Sequence, residues 1–253
     1  MDIQLLMKTA VKAGEIMLSS GAETYRVEDT MKYMIMTAEN VEAIDIMVVM
    51  TGITATLRIE GKDPITIAKR VDSVATNMKS IEAVNQISRK YCSKQMTLEE
   101  AYEELLKIGE PEYSTFGYAF GTFAICVGFT LFFGGNMWDV LAAAFVSLCQ
   151  VLFTSASKDL KLYSFIRITV VSIGIAFSSA IMKEFLGAKM NVDTVMISAI
   201  MPLVPGMAIT NALRDTLRGD YLAGLARILE AFMKAAAIAL GIGLGFAMFG
   251  NLF

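Results

Sequence analysis

Histidine is absent from this chain of 253 residues, and cysteine is scarce, with only Cys92, Cys126 and Cys149. Without histidine, the chain has neither a His-based catalytic triad nor a His proton shuttle, and it lacks the commonest ligand of transition-metal sites. The cysteines are far apart and form no CxxC pair, which indicates reduced thiols. A glycine-rich phosphate loop and a GxSxG motif are also missing. The sequence therefore predicts no catalytic residue, no metal site, no cofactor and no enzyme activity.

Charged residues are unevenly distributed along the chain. Residues 1–112 contain 13 Lys and Arg against 18 Asp and Glu, a net charge of −5, whereas residues 113–253 contain 9 against 7, a net charge of +2. The whole chain is 55% hydrophobic, above the roughly 45–50% of ordinary soluble proteins. These proportions predict a soluble cytoplasmic domain over 1–112 and a membrane domain over 113–253. The acidic first part excludes nucleic acid as a partner, because phosphate binding needs clustered Lys and Arg.

The first part is predicted to be an α+β domain with the element order ααβββαα. Apolar residues recur with helical spacing in some segments and alternate with polar residues in others. The predicted elements are helices over 3–19 and 22–39, strands over 44–50, 53–60 and 65–69, and helices that begin at Ser73 and Thr97.

Capping residues mark three of the predicted helix ends. Gly21 suits the position just after the first helix, where a left-handed backbone is common. Ser20 with Glu23, and Thr97 with Glu100, have the spacing of capping boxes. The segment SSGAETYRVED, which begins at residue 19, is therefore expected to join two antiparallel helices.

The second part contains five apolar runs, each near the roughly 20 residues that cross a bilayer. They cover 116–134, 138–154, 164–182, 193–210 and 225–249. These runs predict an all-α membrane domain of five transmembrane helices. The connections on the cytoplasmic side would contain six Lys and Arg against two on the other side, which predicts a cytoplasmic N-terminus and an external C-terminus. The first residues show no signal peptide, which agrees with this orientation.

Small residues form stripes in the first and fifth predicted spans. Such stripes allow helix backbones to approach closely in a bilayer. Their members are Gly117, Gly121, Ala124 and Gly128 in the first span, and Ala237, Gly241 and Gly245 in the fifth.

Three charged residues, Arg227, Glu230 and Lys234, share one face at the start of the fifth span. One interpretation is an interfacial charge patch, with Lys234 reaching to the bilayer surface. The other is a polar lining of an aqueous path, because charges inside a membrane usually face the interior of the helix bundle.

The fourth predicted span carries helix breakers within the stretch MPLVPGMAITNALRD at 201–215. Pro202 and Pro205 each remove a backbone donor, and Gly206 is expected to relax the backbone beside them. Lipid cannot satisfy the freed carbonyl groups, so a broken helix at this depth is expected to line protein or a water-filled cavity, as in transporters.

Asn211, Arg214 and Asp215 follow this break, in a connection that is predicted to be a cytoplasmic loop. The functional interpretation places the break and these three residues on a substrate path. The alternative is a proline kink followed by a surface loop that contains an Arg214–Asp215 pair.

The chain resembles the N-terminal half of the threonine/serine exporter (ThrE) family over essentially its whole length. Three features carry the resemblance: SSGAETYRVEDTM at 19–31, LVPGMAITNALRDTLRGDYLAG at 203–224, and an acidic soluble domain followed by five spans. Longer members of the family have ten spans. The short form resembles the larger subunit of a two-component bacterial succinate exporter.

This resemblance implies a secondary exporter of small carboxylate metabolites in the bacterial cytoplasmic (inner) membrane. The implied substrates are threonine and serine, or a dicarboxylate such as succinate. The implied partners are the lipid bilayer, the substrate, and a second small multi-span membrane subunit or further copies of the chain. The competing hypothesis is a membrane-anchored regulatory or scaffold protein, whose cytoplasmic domain binds a ligand or a partner.

The resemblance also implies roles for residues in both quoted segments. In the second, the residues that match the family segment and are implied in substrate passage or gating are Pro205, Gly206, Asn211, Arg214 and Asp215. Arg214 would attract a substrate carboxylate, while Asp215 would hold the substrate or pair with an ammonium group. In the first, the matching residues are Gly21, Glu23, Arg26 and Glu28. Two roles stay open for these four residues of the first segment. They form caps and ion pairs that shape a helical hairpin, or they dock against the membrane domain.

Overall fold

The computed structural model describes residues 2–72, 74–109, 115–160 and 162–249. The structure is mostly helical, with one small antiparallel sheet of three strands. Its elements are α1 Ile3–Ser19, α2 Thr24–Ile35, β1 Val41–Val49, β2 Gly52–Ile59, β3 Ile65–Arg70, α3 Met78–Cys92, α4 Leu98–Lys107, α5 Thr115–Phe132, α6 Met137–Asp159, α7 Ser164–Leu186, α8 Val192–Ile200, α9 Gly206–Leu217 and α10 Tyr221–Phe249. Short 3-10 turns follow α7 and α8.

Packing divides the chain into two units. The first unit contains residues 1–111 together with 207–228, and the second contains residues 112–206 together with 229–253. Helix α9 and the first two turns of α10 therefore pack with the N-terminal elements. The expected division into a cytoplasmic domain and a membrane domain concerns the position of the bilayer, and it stays a prediction.

The sheet and helices α1, α2, α3 and α4 all contribute buried residues to the core of the first unit. The strands pair in the order β1-β2-β3, with Ile46 opposite Ala55 and Ala55 opposite Ile67. The predicted hairpin and third strand are confirmed. On β2, Ile53, Ala55, Leu57 and Ile59 are buried while the residues between them are not, because alternate side chains point to opposite faces of a sheet.

Helix ends in this unit confirm some of the predicted caps and correct one. Gly21 has a φ of +83° and ends α1, where Ala22 N–H donates to the Met17 carbonyl and Gly21 N–H to that of Leu18. Thr97 and Glu100 form the predicted capping box of α4. The predicted box of Ser20 and Glu23 is wrong, because the Glu23 carboxylate binds arginines instead of capping α2.

Helix α3 begins later than expected, at Met78, and its cap is Asn77, whose side chain accepts from Ser80 N–H. The predicted cap, Ser73, lies outside the described residues. The segment before α3 also pairs with the end of α1, since Ala75 N–H donates to the Ser19 carbonyl at 2.8 Å and Asn77 N–H to the Ser20 carbonyl at 2.9 Å.

Within the described chain, four helices are long and apolar enough to cross a membrane, namely α5, α6, α10 and α7 with the turn after it. A bent pair, α8 with its turn followed by α9, would make a fifth span if it is counted as one. The interruption predicted at the prolines is confirmed: Pro202 lies in the turn Met201–Leu203, and Pro205 directly precedes α9. Gly206 is simply the first residue of α9 and has no positive φ, so the expected relaxation of its backbone is not observed.

The two small-residue stripes behave differently in the second unit. A Cβ built on Gly241 would lie 2.5 Å from the Ser172 Cβ, and one on Gly245 would overlap Ala176, so α10 packs closely on α7 as predicted. On α5, a Cβ built on Gly121 or Gly128 would meet nothing within 4 Å in the described chain. Close packing of α5 through these two glycines is therefore not observed within this unit.

Candidate functional site

Helix α9 and the residue that directly follows it, Arg218, present four polar side chains on one face. Asn211, Arg214, Asp215 and Arg218 follow the i, i+3, i+4, i+7 spacing of a helix surface. The sequence prediction of a loop here was wrong: Thr210 to Leu217 are helical. The loop prediction gave weight to the polar composition, whereas the spacing of the polar residues indicates a helix with one polar face.

The polar face of α9 binds the turn between α1 and α2, which is 190 residues away in sequence. Asn211 Nδ2 donates to the Gly21 carbonyl at 2.9 Å. From the start of α10, Arg227 Nη2 donates to the Ala22 carbonyl at 2.7 Å. These two carbonyl groups follow the end of α1, where backbone acceptors lack helical partners and side-chain donors satisfy them. We call Gly21–Arg26, together with the α9 and α10 side chains that bind it, the clasp.

A buried ion pair lies at the centre of the clasp. Arg227 Nε lies 2.9 Å from Asp215 Oδ2, and both side chains are almost completely buried, at 3% and 0% exposed. Thr24 Oγ1 donates to the other oxygen of Asp215, Oδ1, at 3.2 Å. Taking these charges out of water is costly, and the cost is offset only because the carboxylate and the guanidinium face each other and make further hydrogen bonds.

The edge of the clasp is more exposed. Glu23 is buried, and its carboxylate binds Arg214 through Oε1 and Arg26 through Oε2, the latter at 3.3 Å. The Arg214 side chain is 47% exposed and that of Arg26 is 39% exposed, so a solute can also reach these two arginines. Directly after the end of α9, the Arg218 guanidinium stacks 3.6 Å from the centre of the Tyr25 ring, a cation–π contact.

Glu28 lies on α2 beside the clasp and faces β1. Its Oε1 accepts from Val48 N–H at 3.1 Å. Burial raises the pKa of the Glu28 carboxyl above its usual value, and the charges of Asp220 and Asp29 act in the same direction, while the Val48 hydrogen bond opposes them. Of the four residues singled out in the first segment, three belong to the clasp and Glu28 is its neighbour.

The other residues singled out from sequence lie in the second unit. Pro202 and Pro205 flank the break before α9, with Gly206 after it. Glu230 and Lys234 pair with each other at 2.6 Å on α10, and their side chains are about one-third exposed. The charged face predicted at the start of this span is thus divided, because Arg227 is used in the clasp and the other two form a local pair.

Sequence reasoning missed four members of the clasp: Ala22, Thr24, Tyr25 and Arg218. Ala22 contributes only a carbonyl group, which no sequence pattern reveals. The helical spacing of Arg218 relative to Asn211 and Arg214 was the signal that could have placed it on the same face.

The interior of the second unit is also polar. Gln150, on α6, is fully buried, and its Oε1 accepts a weak hydrogen bond from Cys126 Sγ at 3.6 Å. Four buried side-chain atoms there have no hydrogen-bond partner among the described residues: Gln150 Nε2, Thr154 Oγ1, Ser172 Oγ and Ser179 Oγ. Such donors are costly in an apolar interior, so this unit is not a plain hydrophobic anchor.

No group of three or more His, Cys, Asp or Glu side chains that could hold a metal ion occurs in the described parts of the chain. The chemistry available at the clasp is therefore reversible charge pairing. A competing carboxylate would reach Arg214 before Arg227, because Arg214 is 47% exposed whereas Arg227 is almost completely buried.

Comparisons with known proteins agree on one family. A family model described as "Putative threonine/serine exporter" matches residues 8–249. The chain is 24% identical over 251 residues to the "Threonine/serine exporter" of Corynebacterium glutamicum, covering 95% of this chain and 50% of that protein. It is 23% identical over 240 residues to the "Probable threonine/serine exporter" of Mycobacterium tuberculosis, covering 94% and 45%. The chain thus spans about half the length of these relatives, and no solved structure matches it significantly.

Proposed function

Because the chain belongs to the threonine/serine exporter family, we propose that it is a subunit of a membrane transporter that exports small carboxylate metabolites. The candidate substrates are threonine and serine, after the relatives' names, or a dicarboxylate such as succinate. Several apolar helices and the family together make the chain a multi-pass membrane protein. After the two-component exporter that it resembles, we also propose that it works with a second small membrane subunit or as an oligomer.

In this proposal the N-terminal elements, in the order ααβββαα, form a cytoplasmic domain, and the C-terminus lies outside. Helix α9 supports a position at the membrane surface. Its polar face is occupied by the clasp, whereas Ile209, Leu213 and Leu217 on the remaining surface are 53%, 61% and 78% exposed. A helix with one charged face and one apolar face suits the boundary between water and lipid.

The observation that carries the gating proposal is the clasp itself. It ties the cytoplasmic α1–α2 turn to the helix that follows the break at Pro202 and Pro205. We propose that the clasp holds the cytoplasmic end of the path closed and that a substrate carboxylate competes with Glu23 for the half-exposed Arg214.

The polar interior of the second unit supports a path through the bilayer. The side-chain donors of Gln150, Thr154, Ser172 and Ser179, which have no partner among the described residues, lie on α6 and α7. They suit the hydroxyl and carboxylate groups of the candidate substrates.

The test is counterflow of radiolabelled threonine, serine and succinate in proteoliposomes, with and without a co-purified small membrane subunit. We expect at least one of the three to move, and we expect Arg214→Gln to lower its rate by about tenfold or more, since a charge-assisted hydrogen bond is lost. Arg58→Gln, an exposed arginine on β2, is the matched control and should leave the rate unchanged.

Two outcomes would overturn the proposal. If none of the three solutes moves under any pairing, the chain is not an exporter of this class. The second outcome is that Arg214→Gln leaves the flux unchanged while removal of the N-terminal elements abolishes function. This would contradict the gating role and support the regulatory or scaffold hypothesis.

A further inference from the structure

A cavity of about 510 Å³ lies between α2 and α3 in the first unit. Its volume falls within the range of small-molecule sites, roughly 300–1,000 Å³. Helix α2 contributes Arg26 and Asp29, which are three residues apart and so share a face. Helix α3 contributes Asn85, Arg89 and Cys92, which also follow helical spacing.

Charge in this cavity differs from charge in the surrounding domain. The lining carries two guanidinium groups and one carboxylate, whereas residues 1–112 as a whole have a net charge of −5. Within the described chain, neither Arg89 nor Asp29 has an ion-pair partner. Arg26 is only partly engaged, through its 3.3 Å contact with Glu23.

We propose that this cavity is a binding site for a small α-amino acid, separate from the transport path. The carboxylate of the ligand binds the guanidinium groups of Arg26 and Arg89, which present paired donors in a suitable fork. Its ammonium group binds Asp29. A dicarboxylate fits worse, because its second carboxylate would face Asp29, and like charges repel.

The site is coupled to the clasp through Arg26. This arginine lines the cavity and also shares the Glu23 carboxylate with Arg214. A ligand carboxylate that binds Arg26 takes it from Glu23 and leaves Glu23 to Arg214 alone, so occupancy of the cavity tightens the clasp. Coupling of this kind is reciprocal, and a change at Glu23 therefore changes the affinity of the cavity for its ligand.

Cys92 provides a readout that is confined to the cavity. It lines the site and is half-buried, and burial raises the pKa of its thiol, so labelling is best followed at about pH 8.5, where more thiolate forms. In the full chain carrying Cys126→Ser and Cys149→Ala, Cys92 is the single remaining cysteine. Its rate of reaction with a maleimide then measures access to the cavity with no transport involved.

L-threonine is expected to slow the labelling of Cys92 in a saturable way, and succinate at the same concentration should be about tenfold or more weaker. Arg89→Gln should weaken protection by L-threonine about tenfold or more, whereas Lys90→Gln, the exposed neighbour that is not part of the lining, should not change it. Asp29→Asn should reduce the preference for L-threonine over succinate. Glu23→Gln should strengthen protection, because it frees Arg26.

The inference is overturned if L-threonine and L-serine give no protection at millimolar concentration, if succinate protects equally well, or if Arg89→Gln behaves as Lys90→Gln does. A labelling rate in the absence of ligand that equals that of the parent chain shows that a variant is folded. If Arg89→Gln does not meet this condition, Asp29→Asn provides the decisive comparison. Protection without flux would contradict only the proposed transport function. Flux without protection would contradict only this site.

Discussion

The two ends of α10 are held by different kinds of contact. In its first two turns, which belong to the first unit, Arg227 pairs with Asp215 and donates to the Ala22 carbonyl. In its later turns, which belong to the second unit, Gly241 and Gly245 allow the backbone to pack on α7. The first end depends on matched charges and the second on the absence of side chains.

This difference separates a contact that can be exchanged from one that cannot. An ion pair is sensitive to any competing charge, and the partly exposed Arg214 gives such a charge a point of entry. Small-residue packing has no charge to compete for and responds only to volume. We therefore expect the α7–α10 contact to be permanent and the clasp to be the part of the molecule that changes during function.

The largest effect on the free energy of unfolding is expected at the N-terminal end of α10. Asp215→Asn leaves the buried Arg227 guanidinium without its carboxylate, and we expect the free energy of unfolding to fall by about 3–5 kcal/mol. The measurement is reversible unfolding of the purified chain in mixed detergent micelles. Adding Arg227→Gln to Asp215→Asn should cost less than the sum of the two single changes, because no unpaired charge then stays buried.

The control for this prediction is Asp220→Asn, five residues further along. Asp220 accepts from Ala223 N–H at the start of α10, and asparagine keeps that acceptor. Its effect should stay below about 1 kcal/mol. Additive losses in the Asp215 and Arg227 double variant would show that the two residues act independently, against the buried pair.

Local sequence signals predicted local structure well. Alternating apolar residues on β2, the capping box at Thr97 and the left-handed Gly21 each depend on neighbours within a few positions, and the structure contains all three. The apolar runs were equally clear, because a span of lipid demands a long stretch of one composition. The prolines also indicated where the fourth run breaks.

The clasp could not be predicted in the same way. Its contacts join Gly21–Arg26 to residues about 190 positions later, and no periodicity in a single sequence encodes such a pairing. Glu23 shows the consequence. Its spacing from Ser20 favoured a capping box, yet the distant Arg214 and the nearby Arg26 bind its carboxylate instead. Tertiary charge pairing overrode a local preference whose usual contribution is only about 1 kcal/mol.

A smaller effect on stability is expected at the contact between α7 and the later turns of α10. We compare one glycine at this contact with one on α5, because replacing them by alanine should change the free energy of unfolding in opposite directions. Gly241→Ala should lower the free energy of unfolding by about 1–3 kcal/mol, since its Cβ would meet Ser172 and the Thr169 carbonyl. The new Cβ of Gly121→Ala on α5 would meet no atom of the described chain within 4 Å. This change should raise the free energy of unfolding by up to about 1 kcal/mol, because alanine is the better helix former. The same micelle unfolding measures both. Equal effects of the two changes would contradict close packing of α7 on α10.

The smallest effect is expected at Glu230 and Lys234, on the part of α10 that follows the clasp. Their 2.6 Å pair is local and about one-third exposed, so a double-mutant cycle of Glu230→Gln and Lys234→Gln should give a coupling of about 0.3–0.5 kcal/mol. The Asp215–Arg227 cycle, measured in the same micelles, should give several times more. A coupling above about 1 kcal/mol at Glu230 and Lys234 would mean that this pair is also shielded from water. Buried charge pairing on α10 would then extend beyond Arg227 into the second unit. In that case α10 would not divide into one end held by charges and another held by small-residue packing.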